Sequence, residues 1–554
     1  MDRRRIFPPR IVTTTVKAIV RVFSRAKRTT TREVFGERKK KHVSLVLHRF
    51  RKERNRGNLR VRSRKRWLTF GIAAVTDDQS PWIQILPDEI LLEIFDCHRL
   101  AALSDAPDTW KWHRLAHVCQ RWRILVFESP RRLDLRLVYT YKNPVRKSLD
   151  LWPVLPVSIW YPKSPRRFGP DDEENVLAAL KHPDRICEIN LSMTRQLLSK
   201  SAGSMQASFP KLQRLQLRPQ EPIRPLVIPI GFLGGSTPLL RDIHLVRTAF
   251  PTLAVLLLSA QALVSLQLDD IPIAGYFSPE DLAISLGVMV RLETLKICFL
   301  PPNAHERSMD ASPINRAMLP ALTEFEFKGN CEYVEDLVSR IDAPALGQIK
   351  ITFFEQPTFG IPRLARFIGR TKEAKSPHHT SVRLSEETTT ITQYFRRPSC
   401  TASTGGTFQL EIPCEELDRQ VPLLIHVCRY LSEPFAGVER FDIEAYPWSS
   451  GWTEGEEIDS TVWLELFRTF RGAKRFEVSG GVLVTSVASA FERATGEMAR
   501  IVLPALRDLH LLDGEPSVST SIDPFIAARL LCNRPVAVHY EKEGSVDHSK
   551  SEDD

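Results

Sequence analysis

The side chains best suited to chemistry are scattered along the 554 residues and do not converge on a site. His378 and His379 adjoin in "SPHHTS", and two imidazoles could begin a metal site. No second ligand pair stands at a recognised spacing from them, so they read as solvated loop histidines. Nine cysteines, at 97, 119, 187, 298, 331, 400, 414, 428 and 532, form no C-x-x-C pair. They fit free thiols in a reducing compartment, the nucleus or cytoplasm. Cys119 falls within an apolar helical periodicity and reads as a buried, inert thiol. "SGG" at Ser479 to Gly481 follows a strand-like segment, and one short glycine pair makes a turn more often than a phosphate cradle. Walker A, G-x-S-x-G, H-E-x-x-H and dinucleotide-binding glycine patterns are all missing. The sequence therefore points to no catalytic residue, no metal and no cofactor. The chemistry to look for is binding.

Binding needs surfaces, and amphipathic elements supply them. In "ILPDEILLEIFDCHRL", Leu86, Ile90, Leu91, Ile94 and Phe95 recur at the spacing that places them on one helical face. Pro87 suits a first helical position, and Asp88 and Glu89 favour the positive end of the helix dipole. Downstream, in "KWHRLAHVCQRWRILVFESP", Leu115, Val118, Cys119, Trp122 and Leu125 again share one face, and Pro130 ends the element. Two such helices within about 45 residues can hardly cover all of their own apolar surface.

These two segments resemble an F-box, in the version expanded in mushroom-forming fungi. Leu86-Pro87, Ile94-Phe95 and Val118-Cys119-x-x-Trp122 carry the likeness in order, and "LDLWPVLPVSIWY" at Leu149 to Tyr161 is similar to the stretch that follows it there. The resemblance implies a small all-helical module, residues 81–135, that docks on the Skp-type adaptor of a cullin-RING ubiquitin ligase. The apolar face would then be covered by another protein. Leu86, Pro87, Ile90, Leu91, Ile94, Phe95, Leu115, Val118, Cys119, Trp122 and Leu125 become the candidate adaptor-binding residues.

Past a linker at 136–175, a different pattern repeats. Ile186/Ile189/Leu191, Leu212/Leu215/Leu217, Leu240/Ile243/Leu245, Leu263/Leu266/Leu268, Leu292/Leu295/Ile297, Leu322/Phe325/Phe327 and Leu346/Ile349/Ile351 share the form L-x-x-L-x-L. Val438/Phe441/Ile443, Ala473/Phe476/Val478 and Leu506/Leu509/Leu511 continue it. Helix-like stretches lie between copies, "PEDLAISL" and "EYVEDLVSRI" among them. Strand alternating with helix at this period predicts an α/β chain whose 176–535 region is a leucine-rich-repeat-like solenoid, and this region resembles the repeat halves of many F-box proteins. A regular repeat places Asn or Cys three residues after the third position. Only Asn330 obeys, so the repeats are degenerate.

In L-x-x-L-x-L the residues flanking the last two apolar positions point away from the core. Glu324, Glu326, Lys350, Asp442, Glu444 and Glu477 are therefore candidate target-binding residues, with Trp448 and Trp452 as nearby aromatic anchors. The Ser/Thr-rich stretch 371–407 reads as a partly disordered insertion and 536–554 as a disordered tail.

The net charge of +11 is unevenly spread. Residues 1 to 66 hold 24 Lys and Arg against 4 Asp and Glu, and the remainder is net negative. The basic arm, 1–80, leaves importin and nucleic acid open as partners beside a plain disordered tail. Its stripe of Val12, Val16, Ile19, Val20 and Phe23 also fits a mitochondrial presequence, against which Asp2 and the length of the basic region argue. The longest apolar run, Ala249 to Val264, is broken by Pro251, Thr252, Ser259 and Gln261 and falls short of a membrane span. It reads as a buried helix, and no membrane partner is expected. The function the resemblance implies is substrate recognition for an SCF-type ligase, with an unidentified protein as target. The alternative is a non-ligase scaffold or nucleic-acid-associated protein acting through the arm.

Overall fold

The computed structural model describes residues 86–102, 112–140, 155–162, 169–221, 224–301, 316–356, 359–371, 377–395, 406–414, 417–431, 435, 437–445, 459–512 and 517–541. The arm at 1–80 and both Trp448 and Trp452 lie outside them. The chain divides into two units, Met1–Arg136 and Leu137–Asp554.

The described residues of the first unit form three helices, α1 Asp88–Ala102, α2 Trp112–Ala116 and α3 Gln120–Glu128. The amides of Ile90 and Leu91 donate to the Pro87 carbonyl, so proline starts the helix from just outside it. The single helix expected to carry Leu115 through Leu125 is in fact two. It breaks at His117 and Val118, and Cys119 takes an extended conformation, φ −157° and ψ 172°, as the N-cap of α3.

The second unit is built on one sheet of sixteen strands. In chain order its elements are β1 Leu137–Tyr139, β2 Val157–Tyr161, α4 Pro170–Leu180, β3 Ile186–Met193, α5 Arg195–Gly203, β4 Arg214–Pro219, β5 Asp242–Val246, α6 Leu253–Ser259, β6 Ser265–Ile271, α7 Pro279–Leu286 and β7 Thr294–Phe299. There follow β8 Glu324–Gly329, α8 Cys331–Arg340, β9 Gln348–Phe353, α9 Pro362–Arg370, β10 Pro377–Leu384, β11 Thr388–Phe395, β12 Gly406–Pro413, α10 Leu417–Tyr430 and β13 Arg440–Ala445. The last are α11 Ser460–Phe467, β14 Arg475–Ser479, α12 Gly481–Arg493, α13 Met498–Ile501, β15 Asp508–Leu512, α14 Ser517–Leu531 and β16 Ala537–Glu541.

Every L-x-x-L-x-L copy places its second and third apolar residues on a strand. The register sets like positions side by side: Leu215 beside Ile243, then Leu266, Leu295, Phe325 and Ile349. The result is two continuous apolar rows on the inward face, nearly all fully buried. Each such side chain contributes about 1.5–3 kcal/mol, and no strand could bury its row without its neighbours. Helix starts follow the expected chemistry at α7, where the Ser278 hydroxyl accepts from the Asp281 amide at 3.0 Å ahead of Pro279.

The structure also shows how the fold manages without the repeat's usual Asn. Asn330 precedes α8 but makes no side-chain cap bond. The Cys331 amide donates to Gln356 Oε1 at 3.2 Å, and the Arg195 amide to Glu221 Oε2 at 2.7 Å. Buried Glu335 accepts from the amides of Arg363 and Leu364 at 2.8 and 2.7 Å. Helix-end donors are thus satisfied from the adjacent repeat.

Four expectations are corrected. The 136–175 region is more than a linker, since β1, β2 and the start of α4 open the sheet unit. The stretch read as a partly disordered insertion contains β10 and β11, an antiparallel hairpin inside the main sheet. The strand order there is β9-β12-β11-β10-β13, so β11 is antiparallel to both neighbours in an otherwise parallel sheet. The region read as tail begins with β16, the last strand of the sheet. Finally, the apolar run from Ala249 holds only the seven-residue α6, with Val255 60% and Leu258 44% exposed, so it is half surface.

Candidate functional site

In the helical unit the expected adaptor residues divide into two sets. Leu91, Ile94, Phe95, Leu115, Trp122 and Leu125 are buried. Phe95 meets Trp122 edge to face at 4.8 Å, and Trp112 donates its indole N–H to the Arg136 carbonyl at 2.8 Å. The apolar face is therefore covered in good part by its own chain. Leu86, Pro87, Ile90, Val118 and Cys119 are exposed or half-buried. The expectation of a buried Cys119 is wrong: it is exposed, and its Sγ accepts from the Trp122 amide at 3.5 Å. A helix that stops at Ala116 and restarts at Gln120 turns Cys119 outward.

Arg121 brings the two exposed turns together. Its Nη2 donates to the Leu86 carbonyl at 2.5 Å and its Nε to Asp88 Oδ1 at 2.9 Å. The guanidinium fork thus fastens the Leu86-Pro87 turn to the first turn of α3, beside Val118 and Cys119. Residue spacing alone gives Arg121 no role, because a tie of this kind depends on how α1 and α3 meet. Behind the surface, burial first and Arg114 second push His98 below the usual imidazole value.

On the sheet unit the candidate target residues do lie on the outward face. Glu324, Glu326 and Lys350 help line a shallow concavity of about 340 Å³ across β6 to β9 and β12, with Gln267, Lys296 and Gln348. Lys296 bridges Asp269 and Glu326 at 3.2 Å each, and His244 meets Asp269 at 2.9 Å. Burial works against the charged form of Asp269, but its bonds from His244 and Lys296 prevail and hold it below the ordinary carboxylate value. Lys350 pairs with Glu411 at 3.6 Å.

The later strands are more completely matched. Asp442 meets His379 at 2.5 Å and Arg440 at 3.0 Å; Glu477 meets Arg440 at 3.1 Å and Arg475 at 2.9 Å; Glu444 pairs with Arg383. Burial again opposes ionisation of Asp442, and the hydrogen bonds from His379 and Arg440 outweigh it, so its pKa lies below 3.8. His379 is not a loop residue. It sits on β10, stacked on Tyr394 at 4.9 Å. Among the described residues no group of three or more His, Cys, Asp or Glu side chains could hold a metal ion, and no helix is long and apolar enough to cross a membrane.

Compared with known protein families, residues 83–136 match the F-box-like family. No curated protein matches the chain. The matched span covers the helical unit and ends where the sheet unit begins. By that match the chain carries an F-box-like domain, the domain type of non-catalytic, adaptor-binding subunits of SCF ubiquitin ligases.

Proposed function

We propose that this chain is the substrate-recognition subunit of an SCF-type cullin-RING ligase, acting in the nucleus or cytoplasm. The observation that carries the reading is the F-box-like unit with its Leu86-Pro87 and Val118-Cys119 turns tied together by Arg121 and left open. An apolar patch of this kind suits a Skp-type adaptor. The sheet unit is a degenerate leucine-rich-repeat-type solenoid, and its outward face captures the protein target. The central concavity is the better dock on that face. Among the described residues Glu324 there meets only the Thr294 hydroxyl, at 3.5 Å, whereas Asp442, Glu444 and Glu477 are already matched by cations. A ligand reaching the later strands would first displace those partners.

The mechanism is proximity. The F-box holds the adaptor, the sheet holds a target, and other subunits transfer ubiquitin, so the target's lysines gain effective concentration near the charged enzyme. Affinity purification of the full chain with the proteasome inhibited tests this. Adaptor, cullin and an accumulating target should be recovered together. Recovery of importin or nucleic acid through residues 1–66, with no adaptor or cullin, would overturn the reading in favour of a non-ligase scaffold.

A further inference from the structure

We infer that the C-terminal edge of the sheet, strand β16, pairs with the same strand of a second copy of this chain. β16 ends the strand order, and among the described residues nothing hydrogen-bonds its outer side. The Ala537 amide donates to the Arg507 carbonyl at 2.7 Å. In a parallel ladder the backbone groups alternate, so those of Ala537 and His539 face β15 and those of Val538 and Tyr540 face outward, unpaired.

The side chains around this edge are not those of a closed end. Leu509 and Leu511 on β15 are fully buried, whereas their register partners Val538 and Tyr540 are part-exposed, Tyr540 at 51%. Leu530 and Leu531, which end the helix leading into β16, are 65% and 89% exposed. A terminal repeat normally carries a polar outer surface.

A second copy fits this edge because the strand is complementary to itself. Antiparallel pairing centred on Val538 sets the outward groups of Val538 against their own counterparts. It also sets Val536 against Tyr540 of the other copy, twice, an aromatic-with-β-branched pair of the favourable kind. No charged side chain of Val536 to Tyr540 meets a like charge. A contact made by one short strand is small for a specific interface, so the dimer is concentration-dependent.

Sedimentation of the full chain from about 1 to 100 µM tests the proposal. The mass should rise from one chain to two across that range. Val538→Pro removes the outward N–H and leaves the Ala537 and His539 bonds to β15 in place, so it should stay a single chain throughout while the β15 amides keep their exchange protection. Tyr540→Lys, at an exposed position that the pairing sets against Val536 of the other copy, should raise the dissociation constant at least about tenfold. Three results would overturn the inference: a single chain at every concentration, a Tyr540→Lys variant that dimerises as tightly as the wild type, or dimers that form only after removal of residues 542–554. The last would show that the tail covers the edge. Adaptor binding by the F-box is read separately, so neither outcome decides the other.

Discussion

Trp122→Ala should unfold the F-box-like unit and leave the sheet unit standing. The Trp122 ring is 3% exposed and sits 4.8 Å from the Phe95 ring. Truncating a buried Trp costs about 3–5 kcal/mol, and the lost edge-to-face pair adds about 0.5–1.5 kcal/mol. A unit of this size holds only roughly 3–5 kcal/mol in its core. The loss equals or exceeds what is there to lose. Hydrogen exchange read by mass spectrometry separates the two units: amides of Asp88–Ala102 should lose protection while those of the strands, such as Phe325 to Phe327, keep theirs. Ile124→Ala is the control, since Ile124 is 46% exposed and its truncation should cost no more than about 0.5 kcal/mol. If the α1 amides of Trp122→Ala stay as protected as in the wild type, the claim that this ring is the unit's keystone fails.

Three further outcomes follow from the sheet unit. Glu335→Ala removes a buried carboxylate that accepts from two helix-start amides, and should lower stability by about 3 kcal/mol in urea titration. An effect below 1 kcal/mol would mean that other groups satisfy those amides. Asp442 has a folded pKa below its ordinary 3.8, so its contribution is fully present above that value and is lost as pH falls through the lowered folded pKa. The stability gap between wild type and Asp442→Asn should therefore be largest near neutrality and narrow below about pH 4; a gap that widens on acidification would contradict the assignment. Glu324→Lys with Glu326→Lys should weaken target recovery while adaptor binding persists, and full target recovery by the folded variant would move the dock elsewhere.

The repeat pattern was legible because the apolar rows obey one rule, a strand period of two at fixed offsets, and every copy from Ile186 to Leu511 landed on a strand. The β10–β11 hairpin was misread because its composition competes with its period. Thr380, Val382 and Leu384, then Thr389, Ile391, Gln393 and Phe395, alternate inward as strand residues do and are nearly all fully buried. Their Thr and Gln content argued loop, and burial won. The approach to β16 and the strand itself show the same apolar alternation in Val536, Val538 and Tyr540, which a polar tail masks. In the F-box-like unit, helical periodicity found the apolar residues but could not say which would cover each other. That division depends on the break at Val118 and on Arg121, neither of which leaves a mark in spacing alone.

The central claim is that an exposed patch at the tied turns holds a Skp-type adaptor. The most direct measurement is the affinity of the purified full chain for a purified Skp-type adaptor, compared with that of Ile90→Arg combined with Val118→Arg. Both positions are half-buried, so the variant should fold, and it would place unpaired charge in an apolar contact. The wild type should bind, and the variant should lose about 2–4 kcal/mol, roughly 30-fold to 1,000-fold in Kd. Equal affinity for wild type and folded variant would show that the adaptor, if bound, sits elsewhere, and no binding by the wild type would contradict the account itself.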